Sequence, residues 1–389
     1  MMINARWQSL RAIRLQAATL SLLIGACSGT ATRSEAAPAA RPFEVAPVAS
    51  FSTPWAMAFL PGQGALALVT EKEGALWLVD TATGKRRPVG GAPKPYVEGQ
   101  GGLGDVVPGP SFARDGRVYL SFIEQGPNKL SGAAVGYGRL VMGGPGADAK
   151  PAIEGFRTIW RQSPKVTGNG HFSHRIAFAP DGRSMFLTSG DRQKFDPAQD
   201  LSGTLGKVLR LDLEGRAFPG NPWAAKGGAS AQAWSIGHRN LLGIAFAPDG
   251  RLWESEMGPK GGDEVNLIAA GKNYGWPIVS NGDHYDGRPI PDHPTRPEFA
   301  APKAWWNPSI SPAGMIVYSG NLFPQWKGDI LLGGLSGEAL LRIDVNGERA
   351  TKAEQWSMNA RIREVEQGPG GEVFLLEDGG RLLRLTPRK

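Results

Sequence analysis

A single cysteine, Cys27, occurs among the 389 residues, so no intramolecular disulfide can staple the fold. Five histidines are present and none falls in H-E-x-x-H, so a zinc site has little to be built from. No C-x-x-C-H occurs, which removes an attached c-type haem. Beyond the N-terminus there is no long apolar run, and no stretch sustains apolar residues at helical spacing. Lysine and arginine form no block with interleaved aromatics, so the chain carries no footprint for nucleic acid. What remains is a globular body built from short strands. Its 54 glycines and 31 prolines supply turns, at a level below that of a disordered chain.

Residues 1–26 are expected to be a signal segment. Arg6, Arg11 and Arg14 precede an apolar stretch around Leu20–Ile24, too short for a comfortable membrane span. Ile24-Gly-Ala-Cys27 resembles the bacterial lipobox, which implies cleavage before Cys27 and a lipid on its thiol. Residues 27–42, rich in Ser, Thr, Ala and Pro, then read as a flexible tether, with residues 43–389 as the folded domain. The expected location is the periplasm or cell envelope, held to a membrane through Cys27. Cleavage removes three arginines and no acid, lowering the formal charge from +7 to +4.

A phrase recurs along the body: an apolar residue, a turn with Asp-Gly or Gly-Gly, then a short apolar strand. It reads Phe112-Ala-Arg-Asp-Gly-Arg-Val-Tyr-Leu, Phe178-Ala-Pro-Asp-Gly-Arg-Ser-Met-Phe-Leu and Phe246-Ala-Pro-Asp-Gly-Arg-Leu-Trp, with weaker copies starting at Phe59, Phe323 and Gly368. Asp-Gly supplies the positive φ of tight hairpins, and strand formers follow it. Six copies at intervals of 45 to 77 residues predict an all-β, six-bladed β-propeller of four-stranded blades. No blade alone can bury both faces; closing the ring solves that. A strand near Phe43-Glu-Val is expected to clasp the C-terminal blade.

Gly99-Gln-Gly-Gly-Leu-Gly104 matches the dinucleotide fingerprint G-x-G-x-x-G, but Pro108 and Pro110 would break the helix that the motif requires. The glycines instead let a loop turn sharply. With this loop, His171-Phe-Ser-His-Arg175, Gly190-Asp191, Gly237-His-Arg-Asn240, Glu256-Met-Gly-Pro259, Gly262-Asp-Glu264, Asn273-Tyr-Gly-Trp-Pro277 and Arg361-Ile-Arg363 follow in an order that resembles the soluble aldose and glucose dehydrogenases dependent on pyrroloquinoline quinone (PQQ). The likeness runs from about Phe51 to Leu385.

That resemblance implies oxidation of an aldose sugar to its lactone, with PQQ and Ca²⁺ as cofactors and an electron acceptor the sequence does not name. It implies His171 as the base, a role imidazole suits near neutral pH, with Asp191 orienting it and Arg239 stabilising charge on the quinone. Gln100, Arg239, Asn240, Tyr285, Arg361 and Arg363 are the implied PQQ contacts; guanidinium suits a ligand with three carboxylates. Arg361 and Arg363 alternate along one apparent strand, so both can project to the same face. Gly258 and Pro259, through their carbonyls, are the implied ligands of the calcium beside the quinone, and Glu264 and Tyr274 those of a second calcium. An acidic turn is nearly as good a reading of Gly262-Asp-Glu264.

Two positions depart from the family pattern. Ser336 stands at or near a usual lysine that contacts PQQ, and His174 replaces a usual glycine, which is expected to crowd the site's mouth or add a second imidazole. Two other readings stay open: a sugar- or partner-binding propeller without catalysis, and a calcium-dependent lactonase-like hydrolase.

Overall fold

The computed structural model describes residues 40–143 and 150–388; the signal segment and Cys27 lie outside the described residues. Six four-stranded antiparallel sheets follow one another along the chain. Their innermost strands are Pro54–Phe59, Leu103–Pro108, Ser173–Phe178, Leu241–Phe246, Pro312–Val317 and Ile362–Gln367. Each lies against the innermost strand of the next sheet, and the last returns to the first, which closes a six-bladed propeller.

All six recurring phrases fall between the first and second strands of a blade. In the three Asp-Gly copies Gly116, Gly182 and Gly250 have φ of 66°, 66° and 87°, the left-handed values that a tight turn asks of glycine. The phrase at Phe112 differs from expectation only in closing through one helical turn, Phe112–Asp115. Ring closure follows the expected clasp: Phe43–Ser50 pairs antiparallel with Arg381–Pro387, completing blade 6 with the chain's first described strand.

The core lies between the blades. Six hydrophobic clusters each join two neighbouring blades; Leu68, Leu78, Val106 and Leu120 do so for blades 1 and 2, and Phe374, Leu382, Met57 and Val69 for blades 6 and 1. Innermost strands are therefore largely buried, and some read as continuous apolar runs, such as Leu241-Leu-Gly-Ile-Ala-Phe246. Outer strands such as Arg349–Ser357 are largely exposed.

One guanidinium ties five blades at the ring axis. Arg175 of blade 3 pairs with Asp105 of blade 2 at 3.3 Å and with Glu364 of blade 6. It donates to the Leu242 carbonyl of blade 4 at 2.9 Å and stacks over Trp55 of blade 1, 4.1 Å from the ring centroid. All these groups are buried. Burial pushes Asp105 upward, and Glu364 to about 7 against the pull of Arg175. This cluster borders an axial cavity of about 290 Å³ lined by all six innermost strands.

Candidate active site

His171 and Asp191 arrive from two loops of blade 3 and meet at 2.7 Å, His171 Nδ1 to Asp191 Oδ1. Asp191 is wholly buried. Its Oδ2 accepts from Trp276 Nε1 at 2.8 Å and its Oδ1 from the Gln193 amide at 2.8 Å, so the carboxylate cannot turn. The His171 amide donates to Gln100 Oε1 at 2.7 Å, joining the base to the glycine-rich loop. Bonding to a carboxylate leaves the proton on Nδ1, so Nε2 is the basic atom. Burial holds the imidazole below its ordinary value, the Arg239 charge adds to that, and Asp191 opposes it. His171 is therefore neutral and able to accept a proton near pH 7.

Backbone strain is concentrated here. Among the described residues eleven non-glycine residues have positive φ, and six of them are His171, Ser173, His174, Arg192, Gln193 and Phe195. Such conformations cost of order 1–3 kcal/mol each and persist where the surroundings over-determine them. Arg192 is one restraint: fully buried, it donates to the carbonyls of Gly170, Gly168 and Ser131 and stacks on Phe172, 3.8 Å from the ring centroid. It thereby braces the loop that ends at His171.

Opposite the strained loops, Arg361 and Arg363 grip one carboxylate, Asp378, through Nε at 2.8 and 2.7 Å. Both face the same way, as their spacing predicts, although the strand begins between them at Ile362. With Gln100, Asn240, Lys72, Trp55 and His174 they line a cavity of about 330 Å³, at the lower end of the ~300–1,000 Å³ usual for small-molecule sites.

Arg239, Gly258, Pro259, Glu264 and Tyr274 line an adjoining void of about 10 Å³, close to the room one water or one small ion needs. Met257 borders both cavities. Arg239 Nη1 donates to the carbonyls of Met257 and Gly258 at 3.0 and 2.6 Å, while its Nε is buried without a partner. Behind the void Glu254, Glu256 and Glu264 each lie 3.2 Å from the same Asn266 Nδ2. An amide has two hydrogens for these three contacts, and Glu254 Oε1 has no partner. Glu256 is also met by His238 Nδ1 at 2.9 Å and by the Arg239 amide at 2.5 Å, so Glu254 is the acid left short, and a buried carboxylate cluster of this kind suits a hard divalent cation such as Ca²⁺. The Tyr274 hydroxyl is engaged with Leu267 and Ala269, so a metal role for this residue would fall to its main chain. Tyr285 stands apart: it is 73% exposed and reaches the site through Arg239, whose Nη2 is 3.4 Å from its hydroxyl and whose guanidinium lies 5.9 Å from its ring centroid.

The family model for glucose / sorbosone dehydrogenases matches residues 51–384. The chain belongs to the glucose/sorbosone dehydrogenase family. The aldose sugar dehydrogenase YliI of Escherichia coli is 38% identical over 345 residues, covering 86% of this chain and 90% of that protein. A crystal structure of a glucose dehydrogenase superposes with a TM-score of 0.82 at 40% identity, over 88% of this chain and 99% of that one. The PQQ-bound form of an aldose sugar dehydrogenase from Streptomyces coelicolor superposes with a TM-score of 0.72 at 28% identity, over 90% and 100%. This chain is thus an enzyme of the dehydrogenase class.

Of the two departures, His174 takes the second of its expected courses, adding an imidazole to the cavity lining. His174 does not crowd the mouth: it is buried, stacked on Trp55 at 4.9 Å, and its Nδ1 lies 2.8 Å from Ser121 Oγ. Gly104 makes room for it, since a Cβ there would collide with the imidazole. Burial and the Arg175 charge push His174 down to about 3, so it cannot supply a second cation. Ser336 lies at the exposed rim with its hydroxyl engaged by Ser311 and the Ser309 carbonyl.

Proposed function

We propose that this dehydrogenase oxidises aldose sugars at C1 to the lactone, with PQQ as hydride acceptor and Ca²⁺ beside it. The observation carrying this reading is a neutral, carboxylate-oriented imidazole whose amide is bonded to Gln100, a residue that lines the same cavity as two guanidiniums sharing one acid. The PQQ-bound Streptomyces relative supports the cofactor, and the unpartnered Arg239 Nε and paired Arg361 and Arg363 suit a flat anion. When bound, PQQ supplies a two-electron quinone. The chain's own work is to hold the sugar and move a proton. His171 Nε2 takes the proton of the anomeric hydroxyl as hydride leaves the carbon beneath it. Asp191 fixes the ring and stabilises the imidazolium that results. Gly258 and Pro259 would hold the calcium beside the quinone, and Glu264 and Tyr274 a second one.

Adding PQQ and Ca²⁺ to purified apo-protein is expected to give dye reduction with glucose and other aldoses that requires both additions. Dye reduction independent of PQQ would overturn the reading. Lactone hydrolysis without PQQ would replace it with the hydrolase.

We further propose that the enzyme is exported and anchored by lipid on Cys27, in the periplasm or cell envelope. Cys27→Ser is expected to move the protein from the membrane to the soluble fraction. Unchanged membrane association after fractionation would count against the anchor.

A further inference from the structure

Lys72 carries a charge for which the rest of the fold has no use. It follows blade 1's second strand, Leu66–Glu71, and lines the cavity of about 330 Å³. Its backbone is fixed on both sides: the amide donates to Thr53 O at 2.9 Å and the carbonyl accepts from Leu103 N at 2.9 Å. Gly102 permits that approach, because a Cβ there would strike the Lys72 carbonyl. The ammonium donates to Gly99 O at 2.6 Å and makes no ion pair among the described residues. The adjacent acids are engaged elsewhere, Glu71 with Trp77 Nε1 at 2.8 Å and Glu73 with the Thr53 hydroxyl.

We propose that Lys72 is a cofactor-binding residue whose ammonium pairs with a carboxylate of the bound quinone. The inference rests on the PQQ reading and deepens it. Three cations, Lys72, Arg361 and Arg363, line the cavity, and the carboxylate bonded to the arginines is Asp378. Within this cavity's own lining, the arginines and Asp378 without Lys72 leave a single net positive charge, with Arg239 in the adjoining void as the further cation. Ser336 contributes none, and His174 is neutral. A lysine suits this position because it acts as a point charge on a flexible stem and can leave one carbonyl to meet a carboxylate. Gly99 borders the same cavity, so the ammonium is already at its edge.

The competing explanation is a staple: Lys72 holds the Gly99 loop, and its charge is incidental. The two differ in their response to salt, since screening contracts from about 10 Å at 0.1 M to about 3 Å at 1 M ionic strength. PQQ binding to the apo-protein, measured by quenching of tryptophan fluorescence at both ionic strengths, separates them. Lys72→Met is expected to weaken PQQ binding about ten- to hundredfold at low salt, the size of a lost hydrogen bond to a charged group. The deficit should shrink at high salt, and Lys72→Arg should restore most of the affinity. Equal affinity of wild type and Lys72→Met would overturn the assignment and leave the functional reading intact. A deficit that persists unchanged at high salt would identify the staple and equally overturn it. Failure of the wild-type protein to bind PQQ would overturn the functional reading itself, and this inference with it.

Discussion

Replacing His171 with alanine should lower sugar turnover by about 10²–10⁴-fold, the usual contribution of a positioned general base, while PQQ affinity stays within about twofold of wild type by the same reasoning. Separation of the two readouts is the point of the experiment. The imidazole has one nitrogen committed to Asp191 and the other free, whereas the guanidiniums assigned to the cofactor come from blades 4 and 6. Equal loss of turnover and binding would show that His171 shapes the pocket rather than taking a proton. The pH profile adds a second check. Because burial and Arg239 hold His171 below the ordinary imidazole value of 6.5, the acid limb of kcat/KM should lie below pH 6.5. Asp191 is the group that raises this base, so Asp191→Asn should move the limb to still lower pH as it slows the reaction.

Arg175→Met is expected to cost about 3–5 kcal/mol of folding stability, since removing one member of a buried ion cluster leaves the others charged and unpaired. Asp105 and Glu364 would lose their shared cation, and the Leu242 carbonyl its donor. Denaturant titration measures the loss. Its pH dependence has a definite sign. Glu364 already stands near 7, above its ordinary value of 4.5, so the folded state binds more protons than the unfolded state between these values. Stability from this group therefore falls as pH rises through that window and returns as pH drops. Losing Arg175 removes the group that lowers Glu364, so the variant should regain more stability than wild type between pH 8 and pH 5. A variant as stable as wild type at pH 8 would mean that the guanidinium does not tie the blades.

Much of this architecture was legible because the sequence repeats itself. The phrases at Phe59, Phe112, Phe178, Phe246, Phe323 and Gly368 mark the same turn in each blade, since a hairpin with positive φ restricts which residues can stand there. The paired arginines were legible for the same kind of reason: a two-residue period in a strand fixes which side chains share a face. Their shared partner was not. Asp378 sits in the next hairpin, and nothing local marks it as the acid that both will find. Trp276 lay inside a quoted motif, yet only the fold brings its indole to Asp191. Nothing local marks Arg192 or Lys72, because arginine and lysine are usually surface charges. Left-handed backbone at His171, His174 and Phe195 leaves no trace in residue type; loops from separate parts of the chain impose it. His174 was open to two courses for a related reason. Its partners Trp55, Gly104 and Ser121 come from blades 1 and 2, so only ring closure reveals that it is buried.

The clasp has a consequence for synthesis. Phe43–Ser50 emerges from the ribosome before every other described strand, yet its partner Arg381–Pro387 is made only after the other five blades. A nascent chain halted before residue 381 would hold five blades and an unfinished sixth, with unpaired strand edges on either side of the gap. Products truncated before residue 381 should therefore be cleared by proteolysis, while a chain in which Phe43–Ser50 and Arg381–Pro387 lock each other in place escapes it.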